Sequence, residues 1–238
     1  YLIEVLKANP ERVSKQPYEV PDARSLDDIN PQLTVVSPQS PRTFESLDRP
    51  VFIFVGSIVA RKGVRCLIDA CKRLNDEGIS NFTVLIVGDG EQRGELEALS
   101  QTYQLGNCVE WVGRVDYSDI GTYFNQSDVF VLPTLEDTWG MVVLEAMLLG
   151  KAILCSTGAG ASELVTDASN GYRFPPENPD KLAEVMKQLI ENPDKIPAMS
   201  TASKQVMAQN SPKIAADFMA DIVTTLKPMP PQQRSSQT

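Results

Sequence analysis

Asp137 and Glu145 stand eight residues apart in the stretch LEDTWGMVVLEAMLLG (residues 135–150), around a Trp139–Gly140 pair placed to open a helix. Asp137 and Thr138 are residue types that cap helix N-termini. The first amides of such a helix have no acceptor inside it and can hold phosphate or sugar oxygens without a cation. Glu145 falls between Leu144 and Ala146 in an otherwise apolar run. A carboxylate kept there needs a partner, because burying it alone is costly, and ligand hydroxyls are natural partners. The same residues also fit a capped helix with one exposed glutamate.

A second signal lies upstream in VFIFVGSIVARKG (residues 51–63), an apolar run that enters a loop bounded by Gly56 and Gly63. Lys62 can reach across that loop as a compact positive charge on a diphosphate, while Arg61 is expected to face solvent. The spacing differs from the phosphate loop of nucleotide triphosphatases and lacks its metal-binding hydroxyl. A charged surface turn is the other reading. Gly88 and Gly90 suit a tight strand-to-helix turn. Arg93 stands where a dinucleotide fingerprint needs its third glycine, and Gly94 comes one position late. In GAGASELV (residues 158–165), Ser162 and Glu163 either cap a short helix or face a ligand, or the glycines serve a flexible loop.

Composition narrows the chemistry. The 238 residues include no histidine, which excludes imidazole bases and histidine triads within this chain. Cys66, Cys71, Cys108 and Cys155 are widely spaced, so the expectation is reduced, buried thiols in a cytoplasmic protein, with no metal site. A net charge of −9 argues against a general nucleic-acid surface. No apolar run approaches the ~18 residues of a membrane span. The start of the chain shows neither a cationic leader nor an initiator Met.

These groups are positioned by alternating elements. A continuous apolar run predicts a buried strand over 51–55, and further strands are expected over 82–87, 109–112, 129–132 and 152–155. Helical periodicity predicts helices over 64–74, 91–103, 117–125, 141–149, 181–191, 195–209 and 212–226, with a weaker one at 162–165. The pattern implies an α/β fold, a Rossmann-like doubly wound parallel sheet covered on both faces. Such sheets bind ligands beyond the carboxyl ends of their strands. That places residues 56–63, 88–90, 113–115 and 133–140 on one rim. Prolines from Pro10 to Pro50 interrupt residues 1–50, which read as a linker or the remnant of a preceding domain, with a short helix at 1–8 and a brief strand at 33–36. The nucleotide-sugar-binding unit is expected over 51–226, followed by a disordered tail at 227–238.

Taken in order, residues 55–63, 87–90, 111–114, 131–133, 137–145, 158–163 and 170–174 resemble the carboxyl-terminal, donor-binding domain of the retaining glycosyltransferases of family 4, one half of the GT-B fold. The resemblance implies that Lys62 contacts the donor diphosphate. Gly56, Ser57 and Gly88 would line the nucleotide pocket, and Gly113, Arg114 and Val115 would lie against the nucleobase. Glu145, the second acid of the family's pair, would accept bonds from ribose hydroxyls, and Asp137, in the first acid's position, would contact the transferred sugar. The amides around Trp139, Gly140, Met141 and Val142 would cradle the diphosphate. Two departures stand out: the family's cation after the first glycine is Ser57 here, and its first glutamate is the shorter Asp137.

The resemblance thus implies transfer of a sugar from a nucleotide diphosphate sugar to an acceptor hydroxyl, with retention and without a metal or other cofactor. Lys62, Asp137 and Glu145 are its catalytic candidates. It also implies an amino-terminal acceptor-binding domain or partner chain, since nothing before residue 51 resembles one, and an isolated chain that binds donor without transferring sugar. Two other readings remain: a non-catalytic nucleotide-sugar-binding or scaffold module, and a nucleotide-sugar epimerase.

Overall fold

Val51–Val55 (β1) carries only apolar side chains and is buried along almost its whole length, as a central strand covered on both faces must be. Five further strands join it: Thr83–Val87 (β2), Val109–Gly113 (β3), Val129–Leu132 (β4), Ala152–Ser156 (β5) and Gly171–Phe174 (β6). The computed structural model describes residues 33–37 and 42–210, with 214, 216 and 217. It divides the chain into two compact units. One, Pro21–Ala208, holds the sheet. The other is formed by Tyr1–Val20 and Gln209–Thr238, of which residues 214, 216 and 217 are helical.

All strand pairs are parallel, in the order β3-β2-β1-β4-β5-β6. The chain runs outward from β1 to β3, returns to β4, then runs outward the other way. The crevice at the carboxyl ends of β1 and β4 is therefore the topological switch point, where sheets of this order take their ligands. This is the Rossmann-like, doubly wound parallel sheet expected from the sequence.

The helices follow the apolar periodicity. Val64–Asp76 (α1) buries Val64, Leu67, Ile68, Cys71 and Leu74. Pro179–Glu191 (α5) packs beside it, starting two residues earlier than the periodicity suggests because Pro179 occupies its first turn and the Asn178 side chain accepts from Lys181 N–H (2.9 Å). Arg93–Thr102 (α2) starts two residues later than expected, since Glu91 and Gln92 form the turn that enters it. Tyr117–Asn125 (α3), Met141–Leu148 (α4) and Ile196–Gln209 (α6) complete the set.

Three local expectations change. The segment around 162–165 is a 3₁₀ turn, Gly160–Leu164, capped by no side chain. Residues 171–174, assigned no element from sequence, are the edge strand β6. The brief strand at 33–36 reduces to one antiparallel bridge between Val35 and Thr43. The helices at 1–8 and, for the most part, 212–226 lie outside the described residues, as does the tail at 227–238.

The described residues ahead of β1 are packed. Val36, Phe44 and Leu47 are buried, the Phe44 ring meets Tyr123 edge-on at 5.5 Å, and Tyr123 Oη donates to Val36 O (3.1 Å). Arg42 fastens the same segment to β3 by donating to Asn107 O and Glu110.

Candidate active site

Five loops meet at the carboxyl rim and are stitched by backbone hydrogen bonds. Gly56 N–H donates to Val87 O (3.0 Å), Ile58 N–H to Asp89 O (2.9 Å) and Gly88 N–H to Gly113 O (2.7 Å). Across the switch point Leu135 N–H donates to Arg61 O (2.8 Å), and beyond it Asp137 N–H donates to Gly158 O (3.0 Å) in the loop after β5. Glycine is required where these loops touch. Gly63 has φ 65°, and a Cβ there would lie 2.0 Å from Pro133 O; at Gly88 it would lie 1.9 Å from Gly56 O.

The first part of the site is a cavity of ≈ 360 Å³ at the ends of β1, β2 and β3. Its lining brings together five residues expected from sequence: Gly56, Ser57, Gly88, Arg114 and Val115. Asp89 and Ile120 line it as well and had not been singled out. Gly113 sits behind the lining, its carbonyl held by Gly88. Arg114 and Ser57 are exposed, so the walls offer a guanidinium and a hydroxyl to a ligand.

The second part is an ion pair. Lys62, in the 3₁₀ turn after β1, places Nζ 2.5 Å from Asp137 Oδ2, in the loop after β4. Each side chain is only 15 % exposed. The two groups thus come from the strands on either side of the switch point. Arg61, next to Lys62, is exposed as expected.

The third part is the start of α4, where the local expectation fails. Neither Asp137 nor Thr138 caps this helix; the cap residue is Gly140, at φ 90°, with no side-chain cap bond. Asp137 is drawn away because its carboxylate pairs with Lys62 and its backbone is tied to the loop after β5. Trp139 lies over Gly160, and its carbonyl accepts from Ala161 N–H (2.7 Å). Met141 and Val142 occupy the first turn, where amides have no acceptor within the helix.

Glu145, one turn along α4, is half-buried and accepts a hydrogen bond from Tyr117 Oη at 3.4 Å. Burial raises its carboxyl above the usual glutamate value, and the Tyr117 bond offsets part of that rise. Tyr117 begins α3, just past the loop that carries Arg114 and Val115. Sequence reasoning placed Tyr117 only as a helix start; an aromatic hydroxyl two residues beyond a pocket loop was the available signal.

The cysteines take no part. All four are free and buried. Burial pushes the thiols of Cys66 and Cys155 up to about 12 and that of Cys108 up to about 11, so they stay protonated at neutral pH and are poor nucleophiles. Among the described residues, no group of three His, Cys, Asp or Glu side chains is placed to hold a metal ion, and no helix is long and apolar enough to cross a membrane.

Residues 37–206 match the family Glycosyl transferases group 1. The chain is 29% identical over 176 residues to an alpha-D-kanosaminyltransferase of Streptomyces kanamyceticus, a match covering 74% of this chain and 45% of that protein. Among solved structures, HepE of Anabaena in complex with UDP-glucose is similar at TM-score 0.64 and 26% identity, over 74% of this chain and 49% of that one. A glycosyltransferase from Rickettsia africae shares the fold at TM-score 0.72 and 18% identity, over 93% of this chain and 59% of that one. The chain thus spans about half the length of the curated relatives it matches.

Proposed function

The chain belongs to the group 1 glycosyl transferases, and on that premise we propose that it is the donor-binding half of a retaining, family 4 enzyme that moves a sugar from a nucleoside diphosphate to an acceptor hydroxyl. The observation that carries this reading is the meeting of Lys62 and Asp137 at the switch point, between the cavity at β1–β3 and the open first turn of α4.

In this reading the nucleobase enters the cavity against Gly113, Arg114 and Val115, and the ribose hydroxyls donate to Glu145. Gly56, Ser57 and Gly88 border the path towards the diphosphate. Its charge is met by Lys62 and by the amides of Trp139, Gly140, Met141 and Val142, aided by the positive end of the helix dipole. The transferred sugar lies beyond the second phosphate, within reach of Asp137. As the sugar–oxygen bond breaks, negative charge grows on the diphosphate, and fixed donors already aimed there lower the barrier without rearranging. No metal is required for that stabilisation, because a cation and a helix terminus supply it. The acceptor would be held by a second domain or a partner chain. The complex of HepE with UDP-glucose supports a nucleotide sugar as the ligand class.

A titration of the isotopically labelled chain with nucleoside diphosphates, followed by amide resonances, tests this reading. Shifts should concentrate at Gly113–Val115 and at Met141–Val142. Saturating diphosphate that moves neither set sinks the proposal.

A further inference from the structure

Tyr117 stands one helical turn ahead of Ile120 on α3, and residues three apart share a helix face. Ile120 lines the cavity at the ends of β1, β2 and β3. Because α3 follows β3, it begins at the carboxyl rim, and helical side chains lean towards the N-terminus of their helix. The Tyr117 ring therefore stands at the mouth of the cavity. Its hydroxyl fixes the direction further, since Oη lies 3.4 Å from Glu145 Oε1 on α4. The ring thus lies between the Ile120 wall of the cavity and the acid of α4. It is 51 % exposed, the one aromatic side chain left exposed among the described residues.

The cavity lining itself contains no aromatic ring. A base placed there lies with one face against the backbone of Arg114 and Val115, and its ribose reaches Glu145. Its other face meets no aromatic plane from the lining. Tyr117 can supply one, with the body of the ring beside the base and the hydroxyl end beside the ribose hydroxyls. The bond to Glu145 holds the ring before a ligand arrives, so less side-chain freedom is lost on binding.

We propose that Tyr117 is the base-stacking residue of this site: its ring covers the open face of the nucleobase while its hydroxyl stays on Glu145. This rests on the donor-site reading above. Aromatic faces stack in offset or edge-on arrangements that add to the area they bury. Every base has such a face, so the contact strengthens nucleotide binding without choosing the base.

The test pairs calorimetry on the full chain with NMR of the ligand, using UDP, GDP and ADP at a pH where Glu145 is ionised in every chain compared. In the parent, the base protons of the bound nucleotide should move upfield, the ring-current signature of a stacked aromatic face. Tyr117→Phe keeps the ring and should keep both the shift and nearly the parent's affinity. Tyr117→Ala should lose the shift and bind the same nucleotide about tenfold more weakly. Thermal melts check that both variants are folded, and the parent's own shift stands without any variant. An unshifted base in the parent overturns the proposal, as does an alanine variant that binds like the parent. A phenylalanine variant as weak as the alanine variant overturns it too, because the hydroxyl, acting through Glu145, then carries the effect. Binding of none of the three nucleotides overturns the donor-site reading itself, and this inference with it.

Discussion

Tyr117 Oη donates to Glu145 Oε1 across 3.4 Å, joining the start of α3 to the middle of α4. The distance is long for a hydroxyl–carboxylate bond, so most of the carboxylate's accepting capacity stays open. Burial holds the Glu145 carboxyl above its usual value; the folded chain binds that proton more tightly than the unfolded chain does. Its contribution to stability is therefore full below the ordinary glutamate pKa and is lost as pH rises through the raised folded value.

Glu145→Gln should accordingly melt higher than the parent at neutral pH. The advantage should shrink as pH falls and vanish below the ordinary glutamate range. Its affinity for a nucleoside diphosphate should drop, because a neutral amide is a weaker acceptor for ribose hydroxyls. Tyr117→Phe removes the bond that lowers the carboxyl, so its diphosphate binding should fail at a higher pH than the parent's. Thermal melts and binding isotherms across pH check both. A Glu145→Gln chain that melts lower at neutral pH and binds as tightly as the parent contradicts the assignment.

Lys62→Ala removes the cation assigned to the diphosphate and leaves Asp137 unpaired beside it. Diphosphate affinity should fall by about 1.5–3 kcal/mol, the scale of a hydrogen bond to a charged group, whereas the matching nucleoside should lose much less. Calorimetry with the two ligands makes the comparison. Equal losses would place Lys62 away from the phosphates.

Much of the sheet was legible because β1 and β4 are wholly apolar, and β2 and β5 are apolar but for Thr83 and Ser156 at one end, as short strands buried on both faces are. Edge strand β6 was not, since Arg173 faces solvent and the run is only GYRF. The rim glycines were legible as turn formers, but the partner of Asp137 was not. It lies 75 residues away, across the switch point, and the local preference of Asp137 for a helix cap pointed elsewhere. Tertiary pairing overrode that preference and left Gly140 as the cap. Glu145 was expected to need a partner; the one in the structure is Tyr117, 28 residues distant at the start of α3, and only the tertiary fold brings it there.

Two glycines separate backbone strain from steric exclusion. Gly78 has φ 76° with nothing within 4 Å of a built Cβ, while Gly63 has φ 65° with Pro133 O at 2.0 Å. Gly78→Ala should cost about 1–2 kcal/mol for the left-handed backbone alone. Gly63→Ala should cost clearly more and should weaken diphosphate binding, because the loops after β1 and β4 must part to admit the methyl. Urea unfolding of both variants reads the difference. Similar costs would mean that the two loops approach less closely than described.

The segment ahead of β1 should matter to stability. Phe44 is buried against Tyr123, and Phe44→Ala should cost about 3–5 kcal/mol, as large-to-small changes in a packed core do. A loss below about 1 kcal/mol, within the ordinary range of a peripheral site, would mark residues 42–50 as a loose lead-in instead.

A polypeptide of these 238 residues should bind a nucleotide sugar yet transfer sugar at no appreciable rate. Transfer requires donor and acceptor to be aligned together and shielded from water, and alignment alone accounts for about 7–11 kcal/mol of a barrier. Pro21–Ala208 supplies one wall: the cavity at β1–β3, the Lys62–Asp137 pair and the open turn of α4. An acceptor hydroxyl must be held at the sugar's anomeric carbon by a surface facing that wall, and bulk water competes wherever the rim is not closed. Adding an acceptor-binding domain of a group 1 enzyme, fused or as a separate chain, should restore turnover. Restoration should be lost again on Lys62→Ala, which removes the charge that stabilises the leaving diphosphate. Radiolabelled nucleotide sugars with a panel of acceptors provide the assay. Robust product from the 238 residues alone would show that this one wall suffices, while leaving the assignment to the family untouched.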